Sequence, residues 1–395
     1  MFDVARLAAD LAWPLALLLA WVAGELGQRW LRVPRISSYA TVGFLLAASQ
    51  GGLLPASPSD GILLLAKIAL GLFLFEAGYR INLRWLRANP WLAVTSVAES
   101  TLSFVAVWAL VRWRGMPEAP SLLLAALAMA SSPATVVRVL NELRSSGQVT
   151  ERVLHLSALN SALAVLVLKV LLGLTPAGSV DDVPEAAYDT VLVLGAAMLS
   201  GYLMGAFVPA LLKTVRRTTQ DSTVAYALAV IGLVALNHSL EFSPVLATLT
   251  FGLVSRHRRV FLTPTQRGFG TMGDLLGVLL FTFVAVRLEW RQVGAGFGFG
   301  IAILLVRQFA KAAAIGALAF LSGTSWRKGL LTGIAMAPMS AIVIVVLEQS
   351  HLVGLGMLDQ LAPLAAASLL MEMLGPIVVG RALHFAGELP DRREA

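Results

Sequence analysis

The sequence contains no cysteine, and only 13% of its 395 residues are charged. Without cysteine the chain has neither disulfides nor thiolate metal sites. A soluble domain carries roughly 25% charged residues, so this shortage argues against an ordinary water-soluble fold. No Ser-His-Asp set, metal-spaced histidine cluster or nucleotide-binding loop stands in the sequence, so we expect neither an enzyme nor a cofactor. Hydrophobic residues make up 57% of the chain and the mean hydropathy is +0.79, which indicates a membrane protein.

Apolar runs of about 17 to 25 residues recur along the chain, each long enough to cross a hydrocarbon core roughly 30 Å thick. We predict an all-α polytopic membrane protein of about thirteen transmembrane helices in the cell (inner) membrane. We expect a single membrane transporter domain over residues 1–395, without a soluble regulatory domain. The predicted spans are 11–27, 36–54, 61–79, 91–111, 121–140, 153–174, 189–212, 222–238, 243–255, 271–286, 297–321, 329–347 and 361–380.

The basic residues alternate between rich and poor loops when these spans are assumed. About twenty Lys and Arg fall on one side of the membrane and about five on the other, and the positive-inside rule assigns the rich side to the cytoplasm. The N-terminus is therefore predicted outside and the C-terminus inside. The net charge of +7 is explained by this asymmetry, so we expect a lipid bilayer as partner and no nucleic acid.

Two segments of the chain resemble each other. Residues 128–142 read AMASSPATVVRVLNE and residues 335–349 read AMAPMSAIVIVVLEQ, with seven of fifteen positions identical and a proline in each, Pro133 and Pro338. The predicted topology gives the two segments opposite directions. Inverted repeats with paired broken helices mark the substrate site of many transporters, near the bilayer midplane. Chance similarity between two alanine-rich apolar stretches is the alternative.

Hydroxyl side chains surround both prolines. Ser131 and Ser132 precede Pro133, and Ser340 follows Pro338. A proline leaves helix carbonyls without a partner, and a broken helix is tolerated in a membrane where side chains or water satisfy its backbone. We expect two broken, crossing helices whose ends could hold an ion.

The order of several motifs resembles the monovalent cation:proton antiporter-2 family, within the wider sodium/proton exchanger superfamily. The motifs are QRWLRVPRISSYATVGFLLA, GLFLFEAGYRINLRWLR, LAMASSPATVVRVLNELRSSGQVTERVLHLSALNSALAVLV and VRQFAKAAAIGALAFLSGTSWRKGLLTGIAMAP. The resemblance implies a homodimer with a scaffold and a mobile core that exposes one site to each side in turn. It also implies that protons and Na⁺ or K⁺ compete there for a buried carboxylate.

The sequence departs from that family at the carboxylate itself. The family's ion-binding helix carries an aspartate where this chain has Asn160 and Ser161, and its Pro-Arg-Gly-Glu motif is replaced around Pro338. Asn and Ser supply oxygen ligands but no group that titrates near neutral pH. The charge needed for proton competition must therefore come from elsewhere in the chain.

Three carboxylates within the predicted spans are the main candidates. Glu99 lies in mid-helix with Ser96, Ser100 and Ser103 at neighbouring positions, of which Ser96 and Ser103 share its face. It is either a proton or ion site or a structural carboxylate satisfied by hydroxyls. Glu76 is expected to form a structural ion pair with Arg80 at i+4. We expect Glu372, in the last span, to serve packing or an interface.

Lys311 lies in the helix that matches the family's lysine-bearing helix, with Arg307 one turn before it as a structural charge. An unpaired ammonium in the membrane is costly. Four explanations stay open for Lys311: compensation by Glu99 or another acid, deprotonation, contact with helix carbonyls, or binding of an anionic substrate.

Three hypotheses for function follow. The leading one is a proton-coupled Na⁺ or K⁺ antiporter with a non-standard site. The second is transport of an organic or anionic solute in the same fold, and the third is a homologue that no longer transports. The candidate site residues are Asn160, Ser161, Glu99, Lys311, Ser131, Ser132, Pro133, Pro338 and Ser340.

Overall fold

A computed structural model describes residues 4–31, 33–48, 51–52, 54, 60–174, 183–215, 219–258, 262–263, 266, 268–286, 290–339 and 358–390. This part of the chain is helical, with short turns between the helices. The helices are α1 (Val4–Leu26), α2 (Arg35–Leu46), α3 (Asp60–Arg80), α4 (Leu83–Ala88), α5 (Pro90–Trp113), α6 (Glu118–Met129), α7 (Pro133–Leu143), α8 (Gln148–Leu174), α9 (Val183–Val215), α10 (Thr219–Ser239), α11 (Pro244–His257), α12 (Gly270–Val286), α13 (Trp290–Ala317), α14 (Trp326–Ala335) and α15 (Leu358–Ala386).

The helices agree with the membrane prediction. Each of the thirteen predicted spans overlaps a described helix. Among the described residues, eight helices are long and apolar enough to cross a bilayer, and α6 and α12 are shorter apolar helices. Many large apolar side chains on α1, α5, α9 and α13 are exposed, which suits helices that face lipid acyl chains.

One predicted span is too long. We expected a helix over 36–54, whereas α2 ends at Leu46. Ala47 adopts an extended conformation, and the amide of Gly52 donates to its carbonyl in a tight turn. Glycine at positions 51 and 52 favours this turn, with Gly51 at a φ of 77°. The glycine pair thus outweighs the apolar character of the segment.

The helices pack in two groups. In one, α3 and α9 pack against α11. Gly78 and Gly252 bring α3 and α11 together so closely that a Cβ at either position would lie 2.1 Å from a carbonyl oxygen of the other helix. In the other group, α13 packs against α5, α14 and α15, and α8 packs against α5, α6 and α14 around the two helix breaks. The buried charges described next lie in this second group.

Candidate ion-binding site

The first broken helix is interrupted between Met129 and Pro133. Helix α6 ends at Met129 and Ala130 is extended, so the chain leaves helical geometry there. Ser132 then caps α7, because its hydroxyl accepts a hydrogen bond from the amide of Thr135. Pro133 occupies the first turn of α7, where its missing N–H costs nothing. The proline therefore starts the second half-helix instead of kinking a continuous one.

The second break crosses the first. Helix α14 ends at Ala335, and the residues after it pair with the first break through an isolated antiparallel bridge between Ser131 and Met339. The amide of Ser132 donates to the carbonyl of Pro338 at 3.0 Å. The crossing of the two proline-containing segments is thus present as predicted. Ser340 lies outside the described residues.

Arg307 joins the carbonyls of both breaks. This α13 side chain is fully buried, and its guanidinium donates to the carbonyls of Ala128 (2.5 Å), Ala130 (3.0 Å) and Ala337 (2.9 Å). Helix ends leave their last carbonyls without an intrahelical partner, and inside a membrane such groups must be satisfied by the protein. The planar fork of five N–H donors suits several carbonyls at once. Arg307 therefore satisfies the backbone that the two breaks expose.

Lys311 and Glu99 form a buried ion pair beside the crossing. The Nζ of Lys311 on α13 lies 2.5 Å from Oε2 of Glu99 on α5, and both side chains are 0% exposed. Of the four explanations for Lys311, the structure selects compensation by Glu99. Taking two charges out of water is costly, so a pair like this persists where each charge is fully matched.

Asn160 links this pair to the broken helix. Its Nδ2 donates to Oε1 of Glu99 at 2.9 Å and to the hydroxyl of Ser100 at 2.8 Å. Its Oδ1 accepts from the backbone amide of Ser131 at 2.6 Å. The three candidates Glu99, Lys311 and Asn160, on three different helices, therefore meet at the first break. A carboxylate from α5 occupies the neighbourhood in which the family resemblance places an aspartate on α8.

The three serines near Glu99 make different contacts. Ser100, not Ser96 or Ser103, contacts the carboxylate, donating to Oε1 at 3.2 Å. Ser103 donates instead to the backbone carbonyl of Glu99 at 2.7 Å, since a serine in a helix reaches the preceding turn. The hydroxyls of Ser96 and Ser161 are buried and have no hydrogen-bond partner in the described structure.

Glu76 and Arg80 form the predicted structural pair at one end of α3. Their side chains meet at 2.8 Å, and Asn141 of α7 donates to Oε1 of Glu76 at 2.9 Å. Arg80 also donates to Oδ1 of Asn141. These contacts hold α7 against α3, although Oε2 of Glu76 and Nε of Arg80 have no hydrogen-bond partner among the described residues. This network is separate from the pair at Glu99.

A charged cavity of about 840 Å³ borders α7. It lies among α1, α2, α7 and α12. Arg138 of α7 and Asp274 of α12 form an ion pair of 2.8 Å in its wall, and Glu142 accepts from the first amide of α2. Arg138, Asn141 and Glu142 of α7 line this cavity. Within the described residues, no group of three or more His, Asp and Glu side chains could hold a metal ion.

The chain resembles known cation exchangers along most of its length. Over 177 residues it is 28% identical to the low-affinity Na⁺/H⁺ antiporter NhaS1 of Synechocystis, a stretch that covers 44% of this chain and a third (33%) of that protein. Its fold is similar to that of the sodium proton antiporter MjNhaP1 from Methanocaldococcus jannaschii. One structure of that protein, at pH 8, gives a TM-score of 0.69 at 15% identity over 96% of each chain. An electron-microscopy structure gives 0.72 at 17% identity over 99% of this chain and 100% of that one. The sequence profile described as "Sodium/hydrogen exchanger, transmembrane" matches residues 15–383, so the chain belongs to the sodium/hydrogen exchanger family.

Proposed function

We propose that this protein exchanges protons for a monovalent cation, Na⁺ or K⁺, by alternating access at Glu99. The observation that carries the proposal is the fully buried Glu99 carboxylate, which is paired with Lys311 and joined through Asn160 to the first helix break. Ionisable residues inside a membrane segment are expensive and are functional candidates by default. Family membership supports the same activity.

Coupling follows from the single negative charge at Glu99. A proton, a metal cation or the Lys311 ammonium can each neutralise it, but one displaces another. When a cation binds to the carboxylate, the ammonium loses its counter-charge in a low-dielectric site and its charged form becomes costly. Release of that proton from Lys311 to water would keep the charge of the site constant. At this pair, one cation would then enter for each proton that leaves Lys311.

Oxygen ligands for the cation are available next to Glu99. Small hard cations prefer oxygen atoms, and Ser100 places its hydroxyl within 3.2 Å of the carboxylate. The hydroxyl of Ser161 follows Asn160 on α8 and is unpartnered in the described structure. The amide oxygen of Asn160 already accepts from Ser131. We therefore assign Asn160 to positioning, and Glu99, Ser100 and Ser161 to the cation.

Transport of an anionic solute loses its main support. That hypothesis required an unpaired positive charge at Lys311, and Glu99 neutralises Lys311. The other buried cation of this region, Arg307, is occupied by backbone carbonyls of both breaks.

The cytoplasmic assignment of one end of the bundle is part of the proposal. Connections that we predicted to be cytoplasmic contact one another, since Asn82 donates to His155, Ser146 donates to Glu388 and Arg152 donates to Ser322. This clustering supports the predicted outside N-terminus and cytoplasmic C-terminus, with the cavity opening inwards. We further propose that the protein is a homodimer, as the family resemblance implies.

Everted membrane vesicles test the proposal. The vesicles are first acidified by respiration, and Na⁺, K⁺ or Li⁺ is then added while the internal pH is followed with a fluorescent dye. We expect at least one cation to dissipate the gradient, and we expect Glu99→Gln to abolish the response. Glu118→Gln is the matched control, because Glu118 pairs with Arg112 at an exposed position (57% exposed). Exchange at the wild-type rate in Glu99→Gln would contradict the proposal.

A further inference from the structure

Glu372 on α15 differs from the other buried carboxylates of the described chain. Glu99 pairs with Lys311, Glu76 pairs with Arg80, and Glu388 accepts from the backbone amides of Val149 and Thr150. Each of those three carboxylates accepts from at least one charged or N–H donor, although Oε2 of Glu76 has no partner in the described structure.

Glu372 is 4% exposed, and its Oε2 has no hydrogen-bond partner among the described residues. No ion pair of Glu372 is found in that part of the chain either. An isolated carboxylate away from water is far more costly in its ionised form than as a neutral acid. We expected this residue to serve packing or an interface, and an apolar side chain of the same size would serve packing better.

A second polar atom lies one turn before Glu372. Ser368 is buried on the same face of α15 at i−4, and its hydroxyl is also without a partner in the described residues. Unsatisfied buried polar groups are few in native proteins, and each calls for an explanation. Two unsatisfied polar groups on adjacent turns of one helix indicate a polar position that can bind a small species such as a proton.

The register of α15 against α13 gives the depth of this position. Close approach of Gly300 of α13 to Pro363 and Ala367 of α15 fixes one point of contact. A second point is Pro338, which accepts from Arg307 and packs 3.2 Å from the Cβ position of Gly375. The two helices are therefore parallel.

When α13 and α15 are aligned at the contact of Gly300 with Pro363 and Ala367, Glu372 lies at the same depth along the helices as Arg307. This depth is that of the crossing of the two breaks. Glu372 is one turn from Gly375, the residue that touches Pro338. A carboxyl group at this depth belongs to the helices that pack around the candidate site, not to a membrane surface.

We propose that Glu372, with Ser368 beside it, is a second proton-binding site of this transporter, separate from the Glu99–Lys311 pair. In the described state the group is a neutral carboxylic acid. It gives its proton to water when cation binding rearranges the crossing at Pro338, and the Ser368 hydroxyl then donates to the resulting carboxylate. The release of this proton depends on the proposed exchange activity. The protonated state of Glu372 in the described structure does not depend on it.

Infrared spectroscopy of the purified protein tests the site directly. The C=O stretch of a protonated carboxylic acid is recorded at neutral pH for the wild type, Glu372→Gln and the exposed control Glu118→Gln. We expect the acid band to be lost in Glu372→Gln and kept in Glu118→Gln. Glutamine has nearly the shape of the protonated acid, so the variant should fold. An unchanged band in Glu372→Gln would overturn the proposal, whatever the protein transports.

A second measurement tests whether the proton is exchanged. Protons released on cation addition are counted with a pH dye in weakly buffered detergent solution, and cation binding is measured in parallel. We expect Glu372→Gln to bind the cation and to release about half as many protons per cation as the wild type. Equal proton release would show that the proton of Glu372 stays in place and would overturn its role in transport. Failure of the wild type to exchange cations in vesicles would instead contradict the proposed function and leave the infrared result intact.

Discussion

The ammonium of Lys311 lies 2.5 Å from the carboxylate of Glu99, although 212 residues separate them in the chain. Both side chains are fully buried, so the pair is cut off from solvent. The pair explains how the charge of Lys311 on α13 is compensated. Within it, Glu99 is the carboxylate that the Asn160-Ser161 position lacks. The consequences of this relationship can be measured.

Loss of one partner of the pair should lower the stability of the folded protein more than loss of both. Lys311→Met leaves the Glu99 charge buried without compensation, and breaking such a pair costs about 3–5 kcal/mol. We expect Glu99→Gln combined with Lys311→Met to unfold at a higher temperature than Lys311→Met alone. Thermal unfolding followed by tryptophan fluorescence gives the comparison. Additive losses in the double variant would show that the two residues are not coupled in the folded protein.

Exchange should be inhibited by protons on the side from which the cation binds. Because a proton and a cation neutralise the same carboxylate, acidification should raise the cation concentration for half-maximal exchange. The rise should be up to about tenfold per pH unit where the proton-bound form dominates. Initial rates in proteoliposomes at a series of pH values measure this. A half-maximal concentration that does not change with pH would argue against a shared site.

Arg307 should not be replaceable by lysine. A single ammonium cannot reach Ala128, Ala130 and Ala337 together as the guanidinium does, so at least one carbonyl of the breaks would lose its donor. We expect Arg307→Lys to lower the free energy of unfolding by about 3 kcal/mol and to abolish transport. Thermal unfolding and vesicle assays test both effects. The matched control is Arg112→Lys, at an exposed pair, which should change neither.

Glu388 should stabilise the N-terminus of α8. Its carboxylate accepts from the amides of Val149 and Thr150 at 2.8 Å each and from the Thr150 hydroxyl at 2.9 Å. A carboxylate at a helix N-terminus contributes about 1 kcal/mol. We expect Glu388→Ala to speed amide hydrogen exchange at these residues, while Glu118→Ala leaves it unchanged. Equal protection at residues 149 and 150 in both variants would show that other contacts cap α8.

The sequence was informative about the fold because membrane helices need little more than length and apolar composition to be recognised. Proline within two similar segments then predicted the crossing at which Ser132 donates to Pro338. The end of α2 was missed, since hydropathy does not register the turn that a glycine pair allows.

The site was predicted only as separate candidates. Glu99, Lys311 and Asn160 each stood out as a polar group in an apolar span, but their contacts join three helices. Helical periodicity gives the face of a residue and not the helix that this face meets. The same limit applies to the three serines near Glu99, because Ser96 and Ser103 share its helical face and yet Ser100 contacts its carboxylate. No pattern in the sequence showed that Arg307 serves the backbone.

The central claim is that the exchange carboxylate stands on α5, within hydrogen-bond distance of position 160. Moving the charge across that hydrogen bond, by combining Glu99→Gln with Asn160→Asp, tests it most directly. The introduced aspartate could still accept from the amide of Ser131, and the introduced glutamine could donate to that aspartate, so the contacts at the break are kept. Cation-dependent proton flux is measured in vesicles for the wild type, Glu99→Gln and the double variant. We predict no flux in the single variant and recovered flux in the double variant; wild-type flux in Glu99→Gln alone would contradict the account.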